Sequence, residues 1–221
     1  MKQFNVKLVS LTLPQGPASG MSAEEFIAFT ARVSNPSNQL NNDTAPKLIK
    51  YLLDNQHYSP FEMADFAVEI QTSRAIAAQI LRHWSASFQE FSQRYAQAAE
   101  CIIYPARRQD VKNRQNSVDD LTEEVKVWFE EAQNEVWNLS YSKYKEALDK
   151  GIAKEQARFM LPLGTKTTIY MKMNVRDWIF YLKLRSANGT QKEHMDIAKE
   201  IINTVMIPNF PNISNVLGWS K

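Results

Sequence analysis

The run Gln79–Tyr95, QILRHWSASFQEFSQRY, holds the densest set of residues able to do chemistry. It contains two arginines, a histidine, three serines, three glutamines, a glutamate and four aromatic residues. On a helix, Gln79 and Arg82 are i, i+3 neighbours and share a face. Arg82 and Arg94 present planar, permanently charged forks suited to two-point binding of a phosphate. Serine hydroxyls and backbone N–H groups complete such an anion site, and Trp84, Phe88 and Phe91 offer walls for a planar ring. The same stretch reads with equal weight as a solvated loop beside a helix end, since polar runs are commonly surface. Arg158 (QARFMLP) and Arg185 (YLKLRSA) lie in apolar surroundings, where a lone arginine usually snorkels or pairs with an acid. The three histidines, His57, His83 and His194, have no metal-ligand spacing, so no metal site is expected. Cys101 sits among apolar residues without a neighbouring histidine or lysine and reads as a buried, inert thiol. Met171 and Met173 read as core filling. The residues by themselves reach an anion-binding, aromatic-lined pocket, and they do not reach a reaction.

The elements that must position these residues follow from pattern. Phe4–Leu13 alternates as a strand and stops at Pro14. Ser22 and Glu25 form a capping box, and Phe26, Ile27, Phe29, Ala31 and Val33 give a helix ending at Asn35-Pro36. After a polar loop, a second helix carries Pro46 in its first turn and Leu48, Ile49, Leu52 and Leu53 inside. Phe66, Val68 and Ile70 alternate with polar residues as a half-buried strand. Ser73 caps a helix leading into the Arg82–Tyr95 stretch. Arg107–Asp120 reads as a loop. Leu121 to Leu148 keeps helical spacing to a stop at Lys150-Gly151. A short helix over 152–161 ends at Pro162, Thr167–Met173 reads as a strand, Asn174 caps a helix with Trp178, Ile179 and Leu182, and a last helix spans roughly 191–205. No repeat or dividing linker appears. The expectation is one α+β domain over residues 1–221, with a mixed or antiparallel sheet and several long helices.

Composition sets the bounds. Of 221 residues, 44% are hydrophobic, 11% aromatic and 23% charged, as in ordinary globular proteins. A net charge of +2 supplies no field to draw in polyanions, so nucleic acid and membrane surfaces are not expected partners. The six glycines fit neither a dinucleotide-binding nor a P-loop fingerprint. One cysteine excludes a disulfide framework and any multi-cysteine zinc or iron–sulfur centre. The first fourteen residues lack the apolar core of a signal peptide, which with the free thiol suggests the cytoplasm.

The stretch Arg82–Tyr95 resembles the signature of the flavin-dependent thymidylate synthases. That pattern is R-H-R-x-x-S-x-N-E-x-S-x-R-Y, standing here as R-H-W-S-A-S-F-Q-E-F-S-Q-R-Y. Arg82, His83, Ser87, Glu90, Ser92, Arg94 and Tyr95 match; Trp84 and Gln89 replace the family's arginine and asparagine. ARVS (31–34), HYSPFE (57–62), QARFMLP (156–162), NVR (174–176) and LKLR (182–185) fall in the family's order. The wording QEFSQRY is similar to members encoded by large DNA viruses and phages, for which the host cytoplasm would be the location.

The resemblance implies an enzyme that makes dTMP from dUMP, with methylenetetrahydrofolate as carbon donor and FAD, reduced by NADPH, as hydride donor. It implies dUMP contacts from Gln79, Arg82, Glu90, Ser92, Gln93 and Arg94, with Arg158 completing the phosphate site from a neighbouring subunit. Arg185 would be the catalytic contact to the uracil ring, favouring its ionised form and so activating C5, with no cysteine nucleophile. Ser34, Ser59, Arg82, His83, Trp84, Glu90, Asn174 and Arg176 would border FAD, and His57 would lie near its folate end. The assembly implied is a homotetramer with shared active sites. A related enzyme that hydroxymethylates dUMP, and a non-catalytic nucleotide- or RNA-binding protein on the same scaffold, remain open at this point.

Overall fold

In the computed structural model, which describes residues 3–220, the alternating N-terminal segment forms β1 (Asn5–Leu11). The two ends of the expected 1–221 unit lie outside the described residues. The helix α1 (Ala23–Ala31) starts on the capping box, with the Ser22 hydroxyl accepting from Glu25 N at 3.1 Å and Ser22 N donating to the Glu25 carboxylate at 2.7 Å. α2 (Ala45–Asp54) follows, then a 3-10 turn over Ser59–Glu62 and the strand β2 (Asp65–Ser73). α3 (Arg74–Ile80) begins immediately, because the Ser73 hydroxyl caps Ile76 N. The remaining elements are β3 (Ser87–Glu90), β4 (Arg108–Gln109), β5 (Ser117–Val118), α4 (Glu123–Asp149), α5 (Lys154–Ala157), β6 (Lys166–Asn174), α6 (Val175–Arg185), α7 (Lys192–Ile201), α8 (Ile207–Asn209) and α9 (Pro211–Val216).

Four strands form an antiparallel sheet in the order β1-β2-β6-β3. The register sets Phe66 opposite Met173, Val68 opposite Met171 and Ile70 opposite Ile169. Since strand side chains alternate, these six line one face, and all are buried. They pack with Trp178, Ile179 and Leu182 of α6 and Ile197 and Ile201 of α7 in one core. Phe66 stacks on Trp178 at 4.5 Å between centroids, and the indole N–H donates to Phe66 O at 3.1 Å. The other face is polar: Tyr170 Oη donates to Glu69 at 2.8 Å. The C-terminus folds back onto α1, where buried Glu24 accepts from Asn212 and Ile213 at the start of α9.

Several elements differ from the pattern reading, each for a physical reason. The polar stretch contains a strand, β3, whose backbone bonds to β6 override its polarity. The loop 107–120 folds a small hairpin, β4–β5, closed by Arg108 on Asp120. The helix expected over 152–161 shortens to α5 and one 3-10 turn, and the tail expected after residue 205 is helical. A single helix is long: α4 has 27 residues, and no other α-helix exceeds 11 among the described residues. The apolar spacing of α4 does not mark core, since only Tyr144 and Ala147 are buried. Cys101 is half-buried, in a bridge to Thr165 beside Gly164; a Cβ at Gly164 would lie 2.9 Å from its sulfur, so glycine permits the approach. No helix of the described residues is long and apolar enough to cross a membrane.

Candidate active site

β3 lays the polar motif along β6, with Ser87 opposite Lys172 and Glu90 opposite Ile169. Three strand steps separate the ends by roughly 10 Å, so residues just before and just after β3 serve different places. Helix α3 ends at Ile80, and His83 N bonds back to Ile80 O at 3.0 Å. This turn leaves Arg82 exposed, His83 half-buried and Trp84 89% exposed.

Past the end of β3, positive charge gathers. Ser92 turns the chain, its hydroxyl accepting from Arg94 N at 3.3 Å. Arg94 Nε donates to Glu155 at 3.1 Å, and Arg158 Nε donates to the Glu155 carbonyl at 3.2 Å, which holds the two arginines together. Arg158, Arg74 and Gln93 line a cavity of about 320 Å³ with Phe159, Leu161 and Thr165. The Nε2 of Gln93 is buried without a partner, and the Thr165 hydroxyl is spent on Pro162 O at 2.6 Å. Guanidinium groups lining a cavity suit an anionic ligand. Glu90 is held at the edge, accepting from the Arg74 guanidinium and from the Thr167 hydroxyl at 3.0 Å. Arg158 lines this cavity within the same chain that provides Gln93. Arg74 escaped notice in the sequence. Its signal was position: a cation in the first turn of a helix opposes the helix dipole and so asks for an acidic partner.

Before β3, a second cluster surrounds Arg185 in the last turn of α6. The ring of His83 meets Tyr181 edge-on at 5.0 Å, and its Nε2 lies 3.1 Å from the Ser85 hydroxyl. Burial, then the charge of Arg185, pushes the His83 pKa below its ordinary value. Tyr181 Oη is 2.8 Å from His194 Nε2, and both side chains are fully buried. Tyr181 looks like an ordinary helix position in the sequence, and His194, considered only as a metal ligand there, gains its setting when packing brings both near Arg185.

Of the residues expected at the flavin, Arg82, His83, Trp84 and Glu90 belong to the stretch around β3, and the others lie elsewhere. Asn174 caps α6, accepting from Asp177 N at 2.9 Å. Arg176 pairs with Glu62 and donates to Asp177 at 3.0 Å, which ties α6 to the turn containing Ser59. Ser34 lies apart, in a hollow between α1 and α2 with Arg32 and Lys47. His57 is exposed, edge-on to Tyr51 at 5.8 Å. Gln79 is committed within the fold, donating to Gln191, which donates in turn to Glu193 at 2.9 Å. Within one chain these residues border an open surface. Cys101 offers no thiolate, because burial pushes its pKa up. No group of three or more His, Cys, Asp or Glu able to hold a metal occurs among the described residues.

Comparison with known proteins decides the family. Residues 18–211 match the family described as thymidylate synthase complementing protein. A probable flavin-dependent thymidylate synthase of Paramecium bursaria Chlorella virus 1 is 51% identical over 218 residues, 98% of this chain and 100% of its own length. The chain belongs to the flavin-dependent thymidylate synthases. A flavin-dependent thymidylate synthase of Synechocystis sp. is 50% identical with the same coverage, so viral and bacterial relatives stand equally near. The fold is also that of the UMP/dUMP methylase PolB from Streptomyces cacaoi, crystallised with 5-Br dUMP. It superposes with a TM-score of 0.83 at 22% identity, over 97% of this chain and 94% of that one.

Proposed function

We propose that this protein reductively methylates dUMP to dTMP, taking carbon from methylenetetrahydrofolate and hydride from FAD that NADPH has reduced. The observation that carries the reading is the cavity of Arg74, Arg158 and Gln93, whose buried amide has no partner and whose cations suit a nucleotide phosphate. Arg94 and Arg158 neutralise that phosphate with Ser92 beside it, while Gln79 and Arg82, which precede β3, contact the nucleotide nearer Arg185. Glu90, its one oxygen held by Arg74 and Thr167, keeps its second oxygen as an acceptor for a substrate hydroxyl or imide N–H. Arg185 presents a fixed positive charge to the uracil. A guanidinium held in place stabilises the developing ring anion without reorganising, which raises the nucleophilicity of C5. No protein nucleophile is required, in keeping with the unreactive setting of Cys101.

The chain's residues fit a flavin. Trp84 is a large exposed aromatic flanked by Arg82 and His83, a face for a planar ring. Ser59, Asn174 and Arg176 supply hydroxyl, amide and guanidinium groups along one shoulder, with Ser34 beyond them and His57 toward the folate. FAD bound there supplies the two-electron reduction. The protein's task is to orient the pyrimidine and exclude water from it.

The exposed apolar face of α4 supports assembly with further copies, a homotetramer in this reading; the reading also takes the chain as a single domain acting in the cytoplasm. The decisive assay follows tritium release from C5-labelled dUMP with NADPH, FAD and methylenetetrahydrofolate, with the product's mass taken alongside. Release with a dTMP mass is expected. Flavin-loaded protein that releases no tritium defeats the reading, and a product heavier by one oxygen replaces it with hydroxymethylation.

A further inference from the structure

Behind Arg185 lie two buried polar atoms with no hydrogen-bond partner, Nε of Arg185 itself and Nδ1 of His194. They belong to α6 and α7, which pack against each other. The other nitrogen of His194 is engaged, 2.8 Å from Tyr181 Oη. Burial, followed by the charges of Arg185 on α6 and His83 after α3, pulls the His194 pKa down to about 4. The ring is therefore neutral near pH 7 and carries one N–H donor and one acceptor nitrogen. A guanidinium has donors only. The tautomer with hydrogen on Nε2 gives that hydrogen to Tyr181 and leaves at Nδ1 a lone pair able to accept a hydrogen bond beside a cation whose charge acts on this ring. The opposite tautomer would leave only N–H donors at the two unpartnered atoms.

We propose that His194 is a positioning residue for Arg185: in its Nε2–H tautomer, fixed by Tyr181, Nδ1 accepts the Arg185 Nε–H through one bridging water. This rests on the reading that Arg185 contacts the uracil. Anchoring Nε restricts rotation of the guanidinium about its stem and leaves its outer nitrogens to face the pyrimidine. The arrangement also links Arg185 to the motif, since His83 packs on the same Tyr181 ring. A histidine that merely filled space would be replaceable by any apolar residue of its size.

The test compares His194→Asn, whose side-chain oxygen can replace the Nδ1 acceptor, with His194→Leu, which fills the space without one. Both are assayed as FAD-loaded holoenzyme at varied dUMP. His194→Asn is expected to keep kcat within about threefold of the parent, and His194→Leu to lose at least about tenfold in kcat with KM little changed. Equal activity in all three proteins, or equal loss in both variants, overturns the proposal. Tyr181→Phe, which frees the tautomer, is expected to lower kcat as well; unchanged turnover there overturns it. Imidazole nitrogen NMR reads the tautomer without activity. With three histidines in the chain, His194→Asn assigns the signal, and a hydrogen found on Nδ1 of His194 overturns the proposal. A parent protein that turns over no dUMP defeats the functional reading instead, while the nitrogen shifts still decide the tautomer.

Discussion

Arginine does most of the work at the residue scale, because its charge persists at any working pH and its fork binds planar anions at two points. Arg185→Ala is expected to retain flavin but lose most turnover; normal activity by the tritium assay would refute its role. Arg74→Ala removes a charge-assisted bond to Glu90 and a cation from the cavity. Loss of a charge-assisted contact from Arg74 to the phosphate, about 1.5–3 kcal/mol, predicts dUMP affinity weakened at least about tenfold, read by titration, and unchanged affinity counts against Arg74. His194 gives a pH dependence. It stays neutral when folded down to about pH 4, whereas an unfolded chain's histidine takes up a proton near pH 6.5. The unfolded state therefore binds the extra proton as pH falls between those values, and stability declines there by up to about 3 kcal/mol. Melting temperatures of parent and His194→Asn should converge or cross between pH 7 and 4.5; parallel curves would contradict a neutral buried ring.

Short polar caps hold the elements on which the site is built. Asn174 starts α6 and also stands where flavin is expected. Asn174→Ala should cost about 1 kcal/mol of stability, as lost N-caps do. Chemical denaturation measures that loss, and flavin retained after gel filtration shows whether the same residue reaches the cofactor. Glu24 joins α1 to α9 through three hydrogen bonds. Strand β3 shows the limit of local pattern: Ser87–Glu90 has no apolar alternation, and only an open β6 edge makes it a strand. That pairing turns a motif compact in sequence into contacts spread along the sheet, so Gln93 lines the cavity with Arg74 and Arg158 while His83 packs on Tyr181 near Arg185.

Across the whole molecule, α4 is the element that one chain does not explain. Trp128 is 63% and Leu139 65% exposed on a helix whose spacing suits a buried face. Exposed apolar surface on that scale marks an interface. Trp128→Glu with Leu139→Glu should leave the helical signal by circular dichroism intact and lower the mass seen by light scattering. An unchanged oligomer would place the interface elsewhere. Assembly also bears on the flavin, since Trp84 and Arg82 stand on open surface within one chain.

The capping box at Ser22, the caps at Ser73 and Asn174 and the alternation of Phe66, Val68 and Ile70 were legible because they are local rules of hydrogen bonding and period. The motif was legible too, since its spacing is itself the signal. Glycine content excluded a glycine-rich phosphate loop. Tertiary structure alone decided what those arginines face. Arg74 meets Glu90 across 16 residues, Arg94 meets Glu155 across 61, and Tyr181 meets His194 only because α6 packs on α7. Such contacts depend on chain closure and burial, which no run of neighbouring residues encodes. Burial is also what keeps the His194 ring neutral and leaves the Gln93 amide without a partner, and neither follows from local sequence.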